Sequence, residues 1–165
     1  MPILSLSIGS NINAVENIQK AVRALRSEFG NILCSPVYES ETVGFSGDNF
    51  LNLVVAINTE QALPTIVSCL KGLEDRLGRN RRQSKFSGRT MDIDILCFGS
   101  ETGYNCGMAL PRDEITQNAF VLQPLADLLP QQCHPDSGKT YAQLWAEYDK
   151  SRQRLWAIPF EWDGV

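Results

Sequence analysis

The sequence is poor in the residues that build metal clusters and covalent cross-links. It contains one histidine, His134, and five widely spaced cysteines without a Cys-x-x-Cys pair. This pattern argues against both a disulfide scaffold and a structural zinc site. No apolar run approaches the roughly 18 residues of a membrane span, and the first residues lack the basic region and long apolar core of a signal peptide. We therefore expect a cytoplasmic protein without a membrane partner.

Neither an internal repeat nor a low-complexity linker divides the 165 residues. The composition is 43% hydrophobic and 21% charged, which suffices for one adequate core. We therefore expect a single domain over residues 1–165. We also expect a monomer, because the sequence has no obvious oligomerisation helix.

Alternating apolar residues predict the strands. Residues 3–8 alternate leucine and isoleucine with serine, which is typical of a half-buried strand, and Gly9-Ser10-Asn11 is expected to end it in a turn. Pro36 indicates an edge position or a bulge in the second strand. The further strands are expected over residues 32–38, 50–59 and 92–98.

Apolar residues at steps of three and four predict two main helices. The first is expected to start at a capping box of Asn13 and Glu16 and to end at Gly30, and the second to run from Pro64 to Gly78. The predicted apolar face of the first helix consists of Val15, Ile18, Val22, Leu25 and Phe29.

The order strand, helix, strand, strand, helix, strand predicts an α+β fold with a ferredoxin-like βαββαβ core. The sheet would be mainly antiparallel, with both helices on one face and long loops that build the site on the other face or the rim. Farther along, we expect a helix near residues 120–125 with Pro124 and Pro130 as breaks. We also expect a helix over 140–149 and an apolar tail over 155–162 that packs on the body.

Two aspartates, Asp92 and Asp94, alternate with apolar residues in the last predicted strand of this core. Side chains two apart on a strand share a face and lie roughly 6.5 Å apart, so Ile93 and Ile95 would enter the core while the carboxylates point the other way. A Mg²⁺ ion held by one or two carboxylates, water and phosphate oxygens suits this arrangement. The alternative is a solvent-facing strand edge paired with nearby arginines.

A basic segment precedes these aspartates. Residues 71–90 contain seven cations and two anions, a net charge of +5 within a chain of net charge −4, so the remainder carries −9. A basic island in an acidic protein favours a compact polyanion over a long nucleic acid. Because arginine binds phosphate oxygens bidentately, the segment is a candidate triphosphate clamp. Some of its cations would simply be solvated.

Several motifs carry a family resemblance. One reads Glu74-x-x-Leu77-Gly78-Arg79-x-Arg81, and after a short spacer Gly88-Arg89-Thr90-Met91-Asp92-Ile93-Asp94-Ile95-Leu96 follows. Other motifs are Ser7-Ile8-Gly9-Ser10-Asn11, Tyr38-Glu39-Ser40-Glu41-Thr42-Val43-Gly44, Asn49-Phe50-Leu51-Asn52 and Phe120-Val121-Leu122-Gln123-Pro124-Leu125. Along most of its length the chain resembles the 6-hydroxymethyl-7,8-dihydropterin pyrophosphokinase family of folate synthesis.

This resemblance implies transfer of the β,γ-diphosphoryl group of ATP to the hydroxymethyl oxygen of a reduced pterin, with release of AMP. It implies that Asp92 and Asp94 hold two Mg²⁺ ions and that Arg79 and Arg89 take part in catalysis. The positions that it implies for ATP are Glu74, Arg79, Arg81, Arg82, Lys85, Arg89, Ile95 and Arg112. The positions that it implies for the pterin are Ser40, Val43, Phe50, Asn52, Phe86 and Phe120, although core packing is the alternative role of each aromatic ring.

The chain departs from the family pattern at three places. Residues 85–90 replace a pattern that usually reads Arg-Trp-Gly-Pro-Arg-Thr, Arg112 stands where a histidine is common, and Asn118 stands where an arginine is common. Two alternatives to an active pyrophosphokinase stay open, and these departures motivate the first. One is a diverged paralogue that acts on another heterocyclic alcohol or only binds nucleotide. The other is a nucleic-acid-binding module that uses the basic segment.

Overall fold

A computed structural model describes residues 2–41, 48–77 and 91–162. Its strands are β1 (Ile3–Ser10), β2 (Leu33–Cys34), β3 (Val37–Ser40), β4 (Phe50–Asn58), β5 (Asp92–Phe98), β6 (Gly103–Asn105), β7 (Met108–Leu110) and β8 (Leu155–Ile158). Its helices are α1 (Ala14–Phe29), α2 (Leu63–Arg76), α3 (Glu114–Gln117), α4 (Ala119–Leu128) and α5 (Tyr141–Glu147). Among these helices none is long and apolar enough to cross a membrane.

One antiparallel sheet in the order β5-β1-β4-β3-β8 forms the centre of the fold, and β2 also pairs with β4. The βαββαβ order of β1, α1, β3, β4, α2 and β5 gives the ferredoxin-like arrangement, which confirms the predicted fold class. Pro36 separates β2 from β3, in agreement with the predicted interruption. Strands β6 and β7 form a separate hairpin after β5.

The face of the sheet that α1 and α2 cover holds the larger core. Leucine and isoleucine side chains of β1 and β4 pack there against the buried faces of both helices. Its fully buried members include Leu4, Leu6, Ile8, Ile18, Leu25, Leu53 and Ile66. Because these side chains recur with period 2 on the strands and 3.6 on the helices, the sequence pattern alone places them.

The opposite face of the sheet, where long loops were expected to build the site, is covered by helices. Helices α3, α4 and α5 cover it with a second core, which includes Val54 of β4, Leu96 of β5, Ile115 and Leu122. Strand β1 is therefore buried on both faces, with Ser5 and Ser7 buried beside its leucines. It is not the half-buried strand that its serines suggested.

The element boundaries also differ from the predictions. Strand β1 continues through Gly9 to Ser10, where a turn was expected. Asn13, directly before the first residue of α1, makes no side-chain cap hydrogen bond and has a left-handed backbone (φ 44°), so the predicted capping box is wrong. Val15 on its expected apolar face is 48% exposed. The predicted end at Gly30 is confirmed, since its N–H donates to the carbonyl of Arg26.

The C-terminal third is more regular than predicted. Pro124 lies inside α4, where a break was expected, whereas the predicted helix near residues 140–149 is confirmed as α5 and begins at a capping box of Thr140 and Gln143. The expected apolar tail contains strand β8, which pairs with β3. The predicted helix end at Gly78 lies outside the described residues.

Candidate active site

The two aspartates lie at the start of β5, an edge strand of the sheet. Ile93 and Ile95 are 5% and 4% exposed and enter the larger core, whereas Asp92 and Asp94 are half-buried on the opposite face. The predicted alternation is therefore confirmed. Both carboxylates face the side of the sheet that α3–α5 cover.

A row of paired residues crosses the sheet at the level of Asp92. Asp92 of β5 pairs with Gly9 of β1, Gly9 pairs with Asn52 of β4, and Asn52 pairs with Tyr38 of β3. Paired residues in adjacent strands point to the same face, and neighbouring strands lie about 4.8 Å apart. The first aspartate and Asn52 are thus separated by about 10 Å of sheet, with a glycine between them.

Gly9 keeps the space between these polar side chains open. A Cβ atom at this position would lie 2.8 Å from Oδ1 of Asn52, which is too close for an unchanged structure. Asn52 is 4% exposed and its Nδ2 donates to Oγ of Ser40 over 3.1 Å. Sequence reasoning assigned Gly9 to a turn and did not include it in the site. A glycine within a strand pattern was the signal of a close approach.

Glu74 supports β5 from α2. It is 4% exposed, and its Oε2 accepts a 2.9 Å hydrogen bond from the backbone N–H of Ile93. This contact satisfies a donor on the edge strand that would otherwise need another partner. The carboxylate of Glu74 therefore anchors β5, the strand that carries both aspartates.

Arg112 is bound to the same strand by its backbone and by its side chain. Its N–H donates to the carbonyl of Leu96 over 2.9 Å, and its Nε donates to the carbonyl of Ile95 over 3.0 Å. One outer guanidinium nitrogen lies 3.9 Å from Oδ1 of Asp94, and the other lies 3.9 Å from Oε1 of Glu114. A cation is thus held next to the second aspartate.

Glu114 completes this charged group. Burial raises the pKa of its carboxyl above the usual range, and the nearby negative charge of Asp94 raises it further. The positive charge of Arg112 and the polar side chain of Asn118 act in the opposite direction on this pKa. The two carboxyls therefore repel each other across the guanidinium that separates them.

A cleft of about 170 Å³ runs along this edge, between α2, β5 and β7. Four of the residues that the sequence assigned to ATP or metal line it: Glu74, Asp94, Ile95 and Arg112. Lys71 and Met108 also line it. Its lining is mixed, because α2 and β5 each contribute both apolar and charged side chains and the segment after β7 contributes Arg112.

The residues assigned to the pterin come from three elements on the other side of Gly9. Ser40 ends β3 and pairs with Phe50, which is half-buried at the start of β4. Phe120 is half-buried in the first turn of α4. A hydrogen bond from Tyr38 to Asp127 ties α4 to the sheet, so the helix that carries this phenyl ring has a fixed attachment.

Seven of the predicted site residues lie outside the described part of the chain. They are Val43, Arg79, Arg81, Arg82, Lys85, Phe86 and Arg89. Within residues 2–41, 48–77 and 91–162, no group of three or more histidine, cysteine, aspartate or glutamate side chains is arranged to hold a metal ion.

Comparison with known proteins gives a consistent result. The sequence model of 7,8-dihydro-6-hydroxymethylpterin-pyrophosphokinase matches residues 5–130. A Pseudomonas aeruginosa 2-amino-4-hydroxy-6-hydroxymethyldihydropteridine pyrophosphokinase is 34% identical over 160 residues, which cover 94% of this chain and 91% of that protein. The enzyme of the same name from a Synechocystis species is 30% identical over 147 residues, which cover 87% of this chain and 75% of that protein.

Solved structures agree on the fold. A triple mutant of Plasmodium falciparum HPPK-DHPS with pteroate superimposes with a TM-score of 0.72 at 16% identity. The match covers 92% of this chain but 44% of that one, so this chain spans less than half of the solved protein. Together with the family match over residues 5–130, these similarities show that the chain belongs to the 7,8-dihydro-6-hydroxymethylpterin-pyrophosphokinase family.

Proposed function

We propose that this chain transfers a diphosphoryl group from ATP to the hydroxymethyl group of 6-hydroxymethyl-7,8-dihydropterin in folate biosynthesis and releases AMP. The family membership supports a pyrophosphokinase activity. The observation that carries the proposal is the row of Asp92, Gly9 and Asn52 across three adjacent strands. The carboxylate of Asp92, which would suit a metal–phosphate group, and the amide of Asn52, which would suit a heterocycle, lie on one face of the sheet about 10 Å apart.

In this reaction the hydroxymethyl oxygen forms a bond to the β-phosphorus of ATP. The bond from that phosphorus to the oxygen that bridges the α and β phosphates breaks, and the hydroxyl proton is released. Such transfers depend mainly on positioning and on stabilisation of phosphate charge. The residues of this chain therefore have to align the two substrates and offset negative charge.

We propose that Asp92 and Asp94 hold Mg²⁺, with two ions in the complete site. The donor set fits this metal, because Mg²⁺ prefers oxygen ligands and takes only one or two carboxylates while water and phosphate fill the other positions. Half-buried carboxylates on one face of an edge strand leave room for those ligands. When bound, Mg²⁺ would offset the charge of the phosphates and favour an ionised hydroxyl.

The cations of the chain would bind the phosphate oxygens of ATP. Arg112 is anchored by hydrogen bonds to β5, which holds its guanidinium beside Asp94. We propose that Glu74 and Ile95 contribute to the same nucleotide site from the cleft, and that Arg79, Arg81, Arg82, Lys85 and Arg89 supply the remaining charge. In this assignment Arg79 and Arg89 are the cations that stabilise the transition state.

We propose that the pterin lies between Asn52 and Phe120. The amide of Asn52 offers a donor and an acceptor to the polar edge of the ring system, and its position is fixed by Ser40. Phe120 and Phe86 would stack on the two faces of the bicyclic ring. Val43 and Phe50 would complete the pocket wall.

We also propose that the chain works as a single-domain monomer in the cytoplasm. Both hydrophobic cores pack on one sheet, which supports a single folding unit. The five cysteines are all free thiols, in keeping with a reducing compartment.

The experiment that tests the proposed function is a product analysis with ATP, Mg²⁺ and 6-hydroxymethyl-7,8-dihydropterin. We expect AMP and the pterin diphosphate to appear in a 1:1 ratio. ADP in place of AMP would show transfer of a single phosphoryl group and would contradict the proposal. Binding of ATP without any pterin product would favour a diverged paralogue with another acceptor.

A further inference from the structure

A glutamine near the C-terminus holds the start of the helix that carries Phe120. Gln153 lies in the connection between α5 and β8, beyond the residues 5–130 that the family model matches. Its Oε1 accepts a 2.7 Å hydrogen bond from the backbone N–H of Ala119, the first residue of α4, and its Nε2 donates over 2.9 Å to Oδ1 of Asn118. Both ends of the Gln153 amide are therefore bound to the start of this helix.

The residue directly before α4 does not cap it with its side chain. The first N–H groups of a helix lack partners within the helix, and an asparagine directly before the helix commonly accepts from one of them. Asn118 occupies that position, but its side chain makes no such hydrogen bond, and its Oδ1 accepts from Gln153 instead. Gln153 therefore supplies, from outside the helix, the acceptor that the local sequence does not supply.

The segment that carries Gln153 is also attached to the other side of the proposed pterin pocket. Two residues after Gln153, Leu155 begins β8 and pairs with Ser40 at the end of β3. Oγ of Ser40 accepts the hydrogen bond from Nδ2 of Asn52. This short segment therefore connects the start of α4 with the side chain that holds the Asn52 amide.

Phe120 is the site residue that this attachment orients. It follows Ala119 in the first turn of α4 and is half-buried, so a shift of that turn moves its ring. The hydrogen bond from Tyr38 to Asp127 fixes the other end of α4, about two turns away. Gln153 fixes the end that carries the phenyl ring.

We propose that Gln153 is a positioning residue for Phe120 and that it sets the affinity of the site for the pterin. Its amide holds the first turn of α4 in place relative to Ser40, so that the phenyl ring can stack on the bicyclic ring. Without these hydrogen bonds the N–H of Ala119 loses its partner and the first turn frays. This inference rests on the proposed function for the identity of the pterin and for the stacking role of Phe120.

The test is the dissociation constant of 6-hydroxymethyl-7,8-dihydropterin, measured by calorimetry on the full chain with Mg²⁺ and a non-hydrolysable ATP analogue. Gln153→Met keeps the length of the side chain and removes both hydrogen bonds, so we expect pterin binding to weaken about fivefold, the size of one lost hydrogen bond. The dissociation constant of the ATP analogue should not change. Gln153→Glu should bind the pterin like wild type, because one carboxylate oxygen still accepts from Ala119 and the NH₂ group of Asn118 can donate to the other.

Gln143→Met is the matched control, because Oε1 of Gln143 accepts from the N–H of Thr140 at the start of α5. It removes an equivalent contact from a helix to which no pterin-binding residue is assigned, so the dissociation constant of the pterin should stay at the wild-type value. In a Phe120→Ala background, Gln153→Met should cause no further loss of affinity if it acts through this ring. If Gln153→Met does not fold, as judged by thermal unfolding, Gln153→Asn takes its place. Its shorter amide no longer reaches Ala119, so the same loss is expected.

Unchanged pterin affinity in Gln153→Met, a similar loss in Gln143→Met, or an equal further loss in the Phe120→Ala background would overturn the inference. So would a Gln153→Glu variant that binds the pterin as weakly as Gln153→Met. A wild-type protein that binds the pterin but releases no AMP would remove the proposed function alone. A wild-type protein that does not bind the pterin would overturn the inference together with the proposed function.

Discussion

At the scale of single residues, Gly9 has the most specific steric role in the site. Its missing side chain leaves room for the amide of Asn52, which would lie 2.8 Å from an added Cβ. Gly9→Ala should therefore displace this amide and weaken its hydrogen bond to Ser40. We expect the KM for the pterin to rise about fivefold or more, on the scale of one lost hydrogen bond, while the KM for ATP changes little.

Gly72→Ala is the control for this prediction. Gly72 lies in α2, and an added Cβ would meet no atom within 4 Å. Alanine should stabilise the helix there by roughly 0.5–1 kcal/mol without a change in either KM. Steady-state kinetics with each substrate varied in turn measures both variants. An unchanged pterin KM in Gly9→Ala would show that Asn52 does not bind the pterin.

The residue-level predictions succeeded where they depended on local geometry. Asp92 and Asp94 could be placed on one face because the period of a strand is 2, and the structure confirms this. The proximity of Gly9 to Asn52 could not be predicted, since it depends on the register between two strands far apart in sequence. Capping of α1 was mispredicted because Asn13 takes a left-handed backbone, which prevents its side chain from capping the helix.

At the scale of elements, the break between β2 and β3 is stabilised by a side chain. Pro36 interrupts the strand pairing, and Oγ of the buried Ser35 accepts a 2.9 Å hydrogen bond from the backbone N–H of Val54. Ser35→Ala would leave this buried donor unpaired. We expect a loss of about 1–3 kcal/mol in the free energy of unfolding, measured by urea denaturation.

An exposed helical serine provides the comparison for Ser35. Ser68 lies on the exposed face of α2, so Ser68→Ala removes no buried partner and should leave stability within about 0.5 kcal/mol of wild type. If Ser35→Ala and Ser68→Ala were equally stable, the hydroxyl of Ser35 would not replace the strand-pairing hydrogen bond that is missing at the interruption.

The elements that were predicted incorrectly from the sequence are those whose formation depends on tertiary packing. Pro124 predicts a helix end, but α4 continues past it because the side chain of Pro124 is buried on the face of the helix that packs against the core. Strand β8 is four residues long and forms only because β3 offers it an edge. Neither outcome follows from local propensity, which is a weak guide where burial and pairing compete with it.

At the scale of the whole molecule, one histidine should govern stability just below neutral pH. His134 is buried, and its Nδ1 accepts a hydrogen bond from the backbone N–H of Ser137, which requires the neutral ring. Burial lowers the pKa of His134 below its usual range, against the opposing charge of Asp136. The unfolded chain therefore binds this proton more readily than the folded chain.

The sign of the pH effect follows from this difference. Stability is lost as the pH falls below about 6.5, the ordinary pKa of histidine, toward the lower pKa of the folded state. We expect the Tm of the wild type to fall between pH 7 and pH 5.5, and the Tm of His134→Gln to change less over that range. Parallel pH profiles of the two proteins would show that another group is responsible.

The overall topology was predictable, but the second layer was not. Four strands and two helices in the order βαββαβ restrict a chain to very few sheets, and the ferredoxin-like arrangement is confirmed. Helices α3–α5 cover the other face because β4 and β5 place apolar side chains such as Val54 and Leu96 there. The serines of β1 predicted that one face of this strand is exposed to solvent, so the second buried face was not predicted.

The most direct test of the account is AMP release by Asp92→Asn and Asp94→Asn with ATP, Mg²⁺ and 6-hydroxymethyl-7,8-dihydropterin. Each variant keeps the side-chain volume and removes one charged oxygen, so we expect kcat to fall by at least about 100-fold, with wild-type thermal stability. Asp136→Asn, an exposed aspartate near His134, is the control and should retain full turnover. Turnover that survives in both site variants would contradict the assignment of Asp92 and Asp94 to the reaction.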